Sequence, residues 1–352
     1  DYFNEKRDMD NGKHDEWVSL LEEKIKTNDD FANLWNEFNN KKIEFNHSQK
    51  YDRKATRVTG SEVLKSIGES NRFILGGSAD LAASTKQIIS NSIYSHQNRS
   101  GQSIEFGIRE HAMAAVVNGI TLHSNLISYG STFLVFSDYM RPSIRLASLM
   151  NLNSVYIFTH DSIYLGEDGP THQPVEHLMS LRLIPGVDVV RPANSIEVQY
   201  AYQYIFTKSN NPKSLVLTRQ SLDYVETNLS YKNFQEGAYE LIKGDDITIF
   251  ASGSEVSLAI EVSKKLKNKS VQIISTPILN QVNTDTLTNL KINEFVFTLE
   301  LGRSIGWQDY IGKVTESFSI ETFGKSAPLE DLTNYFEFSA EKIAEKILQH
   351  IS

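Results

Sequence analysis

Apolar residues recur at two different periods along this chain. Over residues 1–50, Trp17, Leu20, Leu21 and Ile25 share one helical face, and Phe31, Leu34, Trp35 and Phe38 share another, between stretches rich in Asn, Lys and Glu. The pattern predicts an amphipathic helical connector. Over residues 51–225 the period changes. Short apolar runs at 72–75, 154–159 and 214–218 alternate with helical patterns, as in a mostly parallel sheet covered by helices. After the polar stretch 223–231, further runs at 247–251, 271–275, 295–299 and 318–322 read as strands, and 256–266 and 340–348 as helices. The fold class so predicted is α/β, with one α/β domain at 51–225 and a smaller one at 226–352.

Bulk properties narrow the function classes. A chain of 352 residues exceeds one ordinary core, in keeping with two domains. A net charge of -9 argues against coating a nucleic-acid backbone, so no nucleic-acid partner is expected. The absence of cysteine excludes disulfides and thiolate metal sites and fits a reducing, cytoplasmic setting. No apolar run reaches the roughly 18 residues of a membrane span, so no membrane partner is expected. The sequence opens Asp1-Tyr2-Phe3 without methionine or a signal pattern, which reads as a piece cut from something longer.

The densest chemistry lies at 166–174, G-E-D-G-P-T-H-Q-P. Glycines and prolines there set the backbone while Asp168 and His172 are free to face a cavity, which reads as an active-site loop. In F-G-I-R-E-H-A-M, Glu110 begins a helix carrying Ala112, Ala115, Val116, Gly119 and Ile120 on one face, small enough for another helix to approach. Its carboxylate is equally explained by the helix dipole. Gly76-Gly77-Ser78 reads as a turn after a strand ending at Leu75, the place where open α/β sheets bind ligands. Phe133, Phe136 and Tyr139 recur at helical spacing, the spacing of a core stripe as much as of a cofactor wall. Arg53, Ser84, His160 and Arg219 are phosphate-competent donors, of which His160 and Arg219 follow strands. Ser252-Gly253-Ser254 reads as an ordinary strand-to-helix turn with a serine cap, or else an anion-binding one.

Taken together, R-K-A-T, G-G-S-A-D-L-A, F-G-I-R-E-H-A-M, T-H-D-S-I, the 166–174 loop, R-P-A-N, L-T-R-Q and F-G-K-S-A-P resemble the C-terminal half of transketolases, from Arg53 to the end. The stretch around Trp17 and Trp35 is similar to the family's interdomain linker. The resemblance implies a pyrimidine-binding domain of thiamine-diphosphate-binding fold at 51–225, a transketolase C-terminal domain at 226–352, and a linker at 1–50. By the same resemblance Glu110 is the glutamate that hydrogen-bonds the aminopyrimidine of thiamine diphosphate. There it favours the imino tautomer whose 4′-nitrogen takes the thiazolium C2 proton. Phe136 is then the ring that stacks on the pyrimidine, with Phe133 and Tyr139 completing the wall. Arg53, Ser84, His160 and Arg219 would bind the phosphate end of a sugar, and Asp168 and His172 its hydroxyls. The implied reaction moves a two-carbon ketol unit from a ketose phosphate such as xylulose 5-phosphate to an aldose phosphate, in the pentose phosphate pathway, within a homodimer.

The family's diphosphate and metal motif, G-D-G with a downstream Asn, is missing. Asp168-Gly169 with Asn194 imitates its spacing, but Glu167 stands at the first glycine, where a carboxylate repels a diphosphate and a side chain blocks backbone approach. No metal ligand is therefore expected here. Thiamine diphosphate and Mg2+ would be held by an N-terminal diphosphate-binding domain as partner, without which this segment is expected to be inactive. Ala83 replaces a proline and Tyr164 a small residue common in bacterial relatives, and Tyr164 either narrows the channel or covers a loop. Dihydroxyacetone synthase and 1-deoxyxylulose-5-phosphate synthase are rival readings within the same cofactor class. A non-catalytic assembly subunit is the rival outside it. No site residue is expected in the C-terminal domain.

Overall fold

The computed structural model describes residues 1–40, 42–45, 53–223, 225 and 227–351. The expected domain boundaries at 50, 51 and 226 lie outside the described residues. The chain divides into two compact units, 1–43 and 44–352. The first is a helix pair, Tyr2–Thr27 and Asp29–Asn40, with no buried residue in either helix. Extended backbone at Asn28 separates them. The Asn28 side chain accepts from the Phe31 amide at 2.9 Å and so caps the second helix. Phe31, Trp35 and Phe38 form a ring ladder with centroids 6.3 and 5.7 Å apart, as their helical spacing requires.

Within the second unit, six strands form an all-parallel sheet in the order Ser103–Glu105, Ile74–Ser78, Ile127–Phe133, Val155–Thr159, Lys213–Leu217, Asp188–Val190. The central strand Val155–Thr159 is buried throughout, as a strand covered on both faces must be. The chain steps from Ile74–Ser78 to a neighbour on one side and then to Ile127–Phe133 on the other. That reversal opens a crevice at the C-terminal strand ends.

Gly76 and Gly77 belong to the strand Ile74–Ser78 and not to a turn after Leu75. They are glycines because of crowding. A Cβ at Gly76 would sit 2.3 Å from Tyr129, and one at Gly77 would sit 1.9 Å from the Ile104 carbonyl oxygen. The helix Glu110–His123 buries Met113, Ala114, Val117 and Asn118. Its small face points away from the core: Ala112, Ala115, Val116 and Gly119 are exposed.

The second sheet has the order Glu316–Phe318, Phe295–Leu299, Ile247–Ala251, Val271–Ser275, Tyr239–Ile242. All its pairs are parallel except that of the last strand, which is antiparallel. The strand expected at 318–322 is instead Glu316–Phe318, since its ladder ends where its partner does, at Leu299 opposite Phe318. Ile320 beyond it is still buried, which explains why the alternation looked like strand.

Buried charges join the two sheets' layers. Arg182, at the end of the helix His177–Arg182, forks onto Glu300 with bonds of 2.7 and 2.8 Å. Arg191 of the R-P-A-N motif donates to Asp161 at 3.1 and 2.7 Å, to the Ser252 carbonyl and hydroxyl at 3.0 Å, and to Glu255. The Ser252-Gly253-Ser254 turn thus cradles a guanidinium and not an anion, and Ser254 makes no capping bond to the helix. A Cβ at Gly253 would come 2.7 Å from Arg191 Nε, so this turn needs a bare backbone for close approach.

Candidate active site

Loops after three neighbouring strands line a cavity of about 450 Å³ formed by Ala79, Asp80, Leu81, Ile108, Glu110, Phe136 and Tyr139. It opens where the strand order reverses. Glu110 is the first residue of its helix and is half-buried, so the carboxyl reaches the cavity from a helix N-terminus whose dipole favours its charge. This chain alone leaves the cavity beside Glu110 open to solvent, because Ile108 is 78% and Tyr139 63% exposed.

The aromatic stripe divides between two jobs. Phe136 and Tyr139 line the cavity, with ring centroids 6.0 Å apart. Phe133 ends the strand Ile127–Phe133 and lies behind them, stacked on Phe136 at 5.8 Å and 10°. Its other neighbour is His160, at a ring distance of 3.8 Å. His172 presents its ring edge-on to Phe133 and Phe136, at 6.4 and 5.7 Å. One aromatic layer therefore connects the cavity to the histidines.

His160 follows Val155–Thr159 with a left-handed φ of 61°. Thr159 Oγ1 lies 2.8 Å from its Nδ1, and Arg57 Nη1 is 3.4 Å from its Nε2. Since a guanidinium can only donate, Nε2 accepts and the ring proton sits on Nδ1. Burial, then the positive charges of Arg57, Arg219 and His172, push the imidazole down to about 3. Arg57 also donates to the Ser84 carbonyl at 2.5 Å. Burial and the like charge of Arg219 lower its pKa as well. Ser84, His160 and Arg219 are thus gathered around one guanidinium.

Arg53 is placed elsewhere. Lys54–Ala55 pairs antiparallel with Ser221–Leu222, and one step further along that register Arg53 Nε meets Asp223 at 3.1 Å. Its side chain is 73% exposed. Paired bonds between Thr56 and Thr218, of 3.0 and 2.7 Å, hold the next turn, which carries Arg57, against the strand end preceding Arg219. Arg57 was not singled out from the sequence. The second arginine of R-K-A-T-R, four residues after the first, was the available signal.

The 166–174 loop turns at Gly166 and Gly169, with φ of 95° and 80°. Its frame comes from Gln173, whose Nε2 donates to the carbonyls of Ile163, Gly166 and Lys325 at 3.1, 2.8 and 2.8 Å. Ser326 Oγ donates to the Glu167 carbonyl at 2.5 Å. F-G-K-S-A-P of the second domain is therefore the backing of this loop, although no site residue was expected there. Asp168 is exposed on the loop. Tyr164 covers rather than narrows: its hydroxyl bonds the Phe338 carbonyl at 3.3 Å.

Asn194, half of the imitation diphosphate motif, is a helix cap accepting from the Ile196 and Glu197 amides at 2.9 and 3.0 Å. Among the described residues, three with metal-competent atoms lie close together, Asp138, Glu176 and His177, with His177 Nε2 3.1 Å from Asp138.

Residues 52–224 match the family model of the transketolase pyrimidine binding domain, and residues 237–339 that of the transketolase-like C-terminal domain. The chain is similar to a transketolase of Staphylococcus aureus, 36% identical over 358 residues, which cover 96% of this chain and 54% of that protein. It thus spans about half the length of such curated relatives. A transketolase structure from Pichia stipitis in complex with sedoheptulose-7-phosphate superposes with a TM-score of 0.86 at 31% identity, over 97% of this chain and 53% of that one. A split-gene transketolase solved as an inactive β4 tetramer shares the fold at a TM-score of 0.70 and 20% identity, over 84% of this chain and 98% of that one. With both domain families matched over most of its length, the chain belongs to the transketolase family.

Proposed function

We propose that this chain supplies the pyrimidine wall and the sugar-phosphate channel of a thiamine-diphosphate-dependent ketol transferase. In it, residues 1–50 link to an N-terminal half that holds the diphosphate and Mg2+. The observation that carries the reading is the cavity at the strand-order reversal, with the Glu110 carboxyl on one side and the Phe136 and Tyr139 rings on another. A flat heteroaromatic ring suits that set of donors: a face for stacking and a carboxyl to share a proton with a ring nitrogen. The aminopyrimidine of thiamine diphosphate fits, and when bound the cofactor supplies the electron sink of ketol transfer.

The protein's own part is positioning. Glu110 holds a proton at the ring nitrogen, Phe136 and Tyr139 orient the ring, and Phe133 carries the aromatic layer on to His160. Ser84, His160 and Arg219 receive the phosphate of a ketose or aldose phosphate, with Arg53 at the outer rim, and Asp168 and His172 face the hydroxyls between. Exposure at Ile108 and Tyr139 supports a second subunit as cover, in a homodimer. A cytoplasmic enzyme of pentose phosphate metabolism is the setting in which such substrates occur.

The test mixes this chain with the diphosphate-binding half, thiamine diphosphate and Mg2+, and follows ketol transfer from xylulose 5-phosphate to ribose 5-phosphate. Activity is expected only in the mixture, and Glu110→Ala is expected to lower kcat by about 100-fold or more. Full turnover by the isolated chain, or an unchanged Glu110→Ala enzyme, overturns the reading. Faster transfer to formaldehyde than to ribose 5-phosphate would point to dihydroxyacetone synthase.

A further inference from the structure

His160 is the first residue beyond a sheet ladder that ends at Thr159, opposite Phe133 on one side and Leu217 on the other. The sheet therefore does not fix its left-handed backbone, φ 61°, a conformation that is costly with a side chain and lasts only where the surroundings impose it. The next residue supplies that constraint. Asp161 is buried, and its Oδ2 accepts from both Nε and Nη2 of Arg191, at 3.1 and 2.7 Å. Its Oδ1 has no hydrogen-bond partner, so among the described residues Arg191 alone holds this carboxylate. Arg191 is in turn clamped by the second domain through backbone and side chain. Its amide donates to the Pro277 carbonyl at 2.8 Å, and its carbonyl accepts from the Gly253 amide at 3.2 Å. Its Nη1 is shared by Ser252 and Glu255, so all three guanidinium nitrogens are engaged. A guanidinium pinned at every nitrogen has no room to follow a moving carboxylate, and Asp161 stays where Arg191 is.

We propose that Asp161 and Arg191 are positioning residues that fix His160 at the phosphate end of the channel, so that the second domain, through its hold on Arg191, shares in building the site. The inference rests on the proposed function, in which His160 meets the sugar phosphate. With the Asp161 carboxylate pinned, the backbone between the two residues is held, and the His160 ring keeps its place 3.8 Å from Phe133 with Nε2 toward Arg57. Released, His160 relaxes out of the left-handed region and its ring swings from that place. The cofactor side of the site, at Glu110 and Phe136, is left as it was.

The experiment compares Asp161→Ala and Asp161→Asn in the complete enzyme, made of this chain with its diphosphate-binding half. Asp161→Ala cuts the link while leaving Arg191 its bonds to Ser252 and Glu255. It is expected to raise KM for xylulose 5-phosphate by about 10-fold with kcat nearly kept, since a contact displaced away from the reacting atoms weakens binding. Turnover of hydroxypyruvate, a ketol donor without phosphate, is expected to stay the same. Asp161→Asn keeps an acceptor for Arg191 and should recover most of the loss. A second readout needs no turnover: 15N NMR of the histidine rings at neutral pH, with His160 assigned by its loss in His160→Asn. The wild-type ring should carry its proton on Nδ1, as the Arg57 contact at Nε2 requires, and the Asp161→Ala ring should move to the Nε2–H form that a free imidazole side chain prefers in water. An unchanged KM or an unchanged His160 tautomer overturns the proposal, as does an equal loss on both donors, which marks damage to the fold alone. If Asp161→Ala does not fold, Arg191→Lys, which keeps the charge without the side-on fork, decides on the same readouts. If the wild-type enzyme transfers no ketol unit, the proposed function fails, and the tautomer still judges Asp161.

Discussion

Gln173 donates through Nε2 to the carbonyl oxygen of Lys325 at 2.8 Å, which ties the 166–174 loop of the first sheet's layer to F-G-K-S-A-P of the second. The fit is close enough that a Cβ on Gly324 would come 1.7 Å from Gln173 Oε1. A loop rich in glycine holds one shape here because the two N–H bonds of a buried amide reach three carbonyls, one of them shared.

Gln173→Ala removes that frame and leaves the three carbonyls competing for water. A stability loss of about 1–3 kcal/mol is expected from the unpaired buried groups. In the complete enzyme KM should rise more than kcat falls, because Asp168 and His172 lose their preset placement while Glu110 is untouched. Chemical denaturation and steady-state kinetics check the two parts separately. Unchanged KM would show that the loop keeps its shape without Gln173.

Much of this was legible in the chain. Apolar runs at 247–251, 271–275 and 295–299 coincide with strands because buried parallel strands leave continuous apolar sequence. The strand end at Ser78 was hidden because its glycines answer to Tyr129 and Ile104, residues far along the chain, and not to a local turn. Glu110 and Phe136 were found through motif and helix position, and both line the cavity. Arg57 was not, since its place beside His160 follows from the register of Lys54–Ala55 against Ser221–Leu222, a pairing across nearly half the chain. Arg191 escaped for a related reason: its three carboxylate neighbours come from three separate segments.

Gly77→Ala should be among the most damaging single-methyl additions. The added carbon would overlap the backbone carbonyl of Ile104, which cannot rotate aside, so the pairing of Ile74–Ser78 with Ser103–Glu105 must open. A loss of about 1–3 kcal/mol or more is expected. Gly119→Ala is the control. A Cβ there has no atom within 4 Å and the position lies mid-helix on the exposed face, so the isolated chain should gain about 0.5–1 kcal/mol. Urea midpoints for the two variants test both signs.

Arg191→Met should be more costly than loss of any surface pair. Asp161 and Glu255 would keep buried carboxylates with their cation gone, a situation worth about 3–5 kcal/mol of destabilisation. Salt should barely change that loss, because no solvent enters between the charges. Doubling the substitution to Arg191→Met with Glu255→Gln should restore part of the stability. The restoration has a physical basis, since burial already raises the pKa of Glu255. Full additivity of the two losses would contradict the coupling.

His160 makes the pH dependence of this layer specific. Its folded-state pKa near 3 lies below the unfolded value of 6.5, so the unfolded chain binds the proton more readily between them. The neutral ring's contribution to stability is therefore complete above about pH 6.5 and is lost as pH falls toward 3. His160→Asn removes the titration while tolerating the left-handed backbone at φ 61°, because asparagine enters that region more readily than most residues. Wild type should exceed His160→Asn in stability by a margin that shrinks from pH 7 to pH 5, measured by urea unfolding at each pH. A margin that stays constant would mean that His160 does not carry the titration. A margin that widens would mean that the imidazolium is the favoured form beside Arg57 and Arg219, contrary to the Nε2 acceptor geometry.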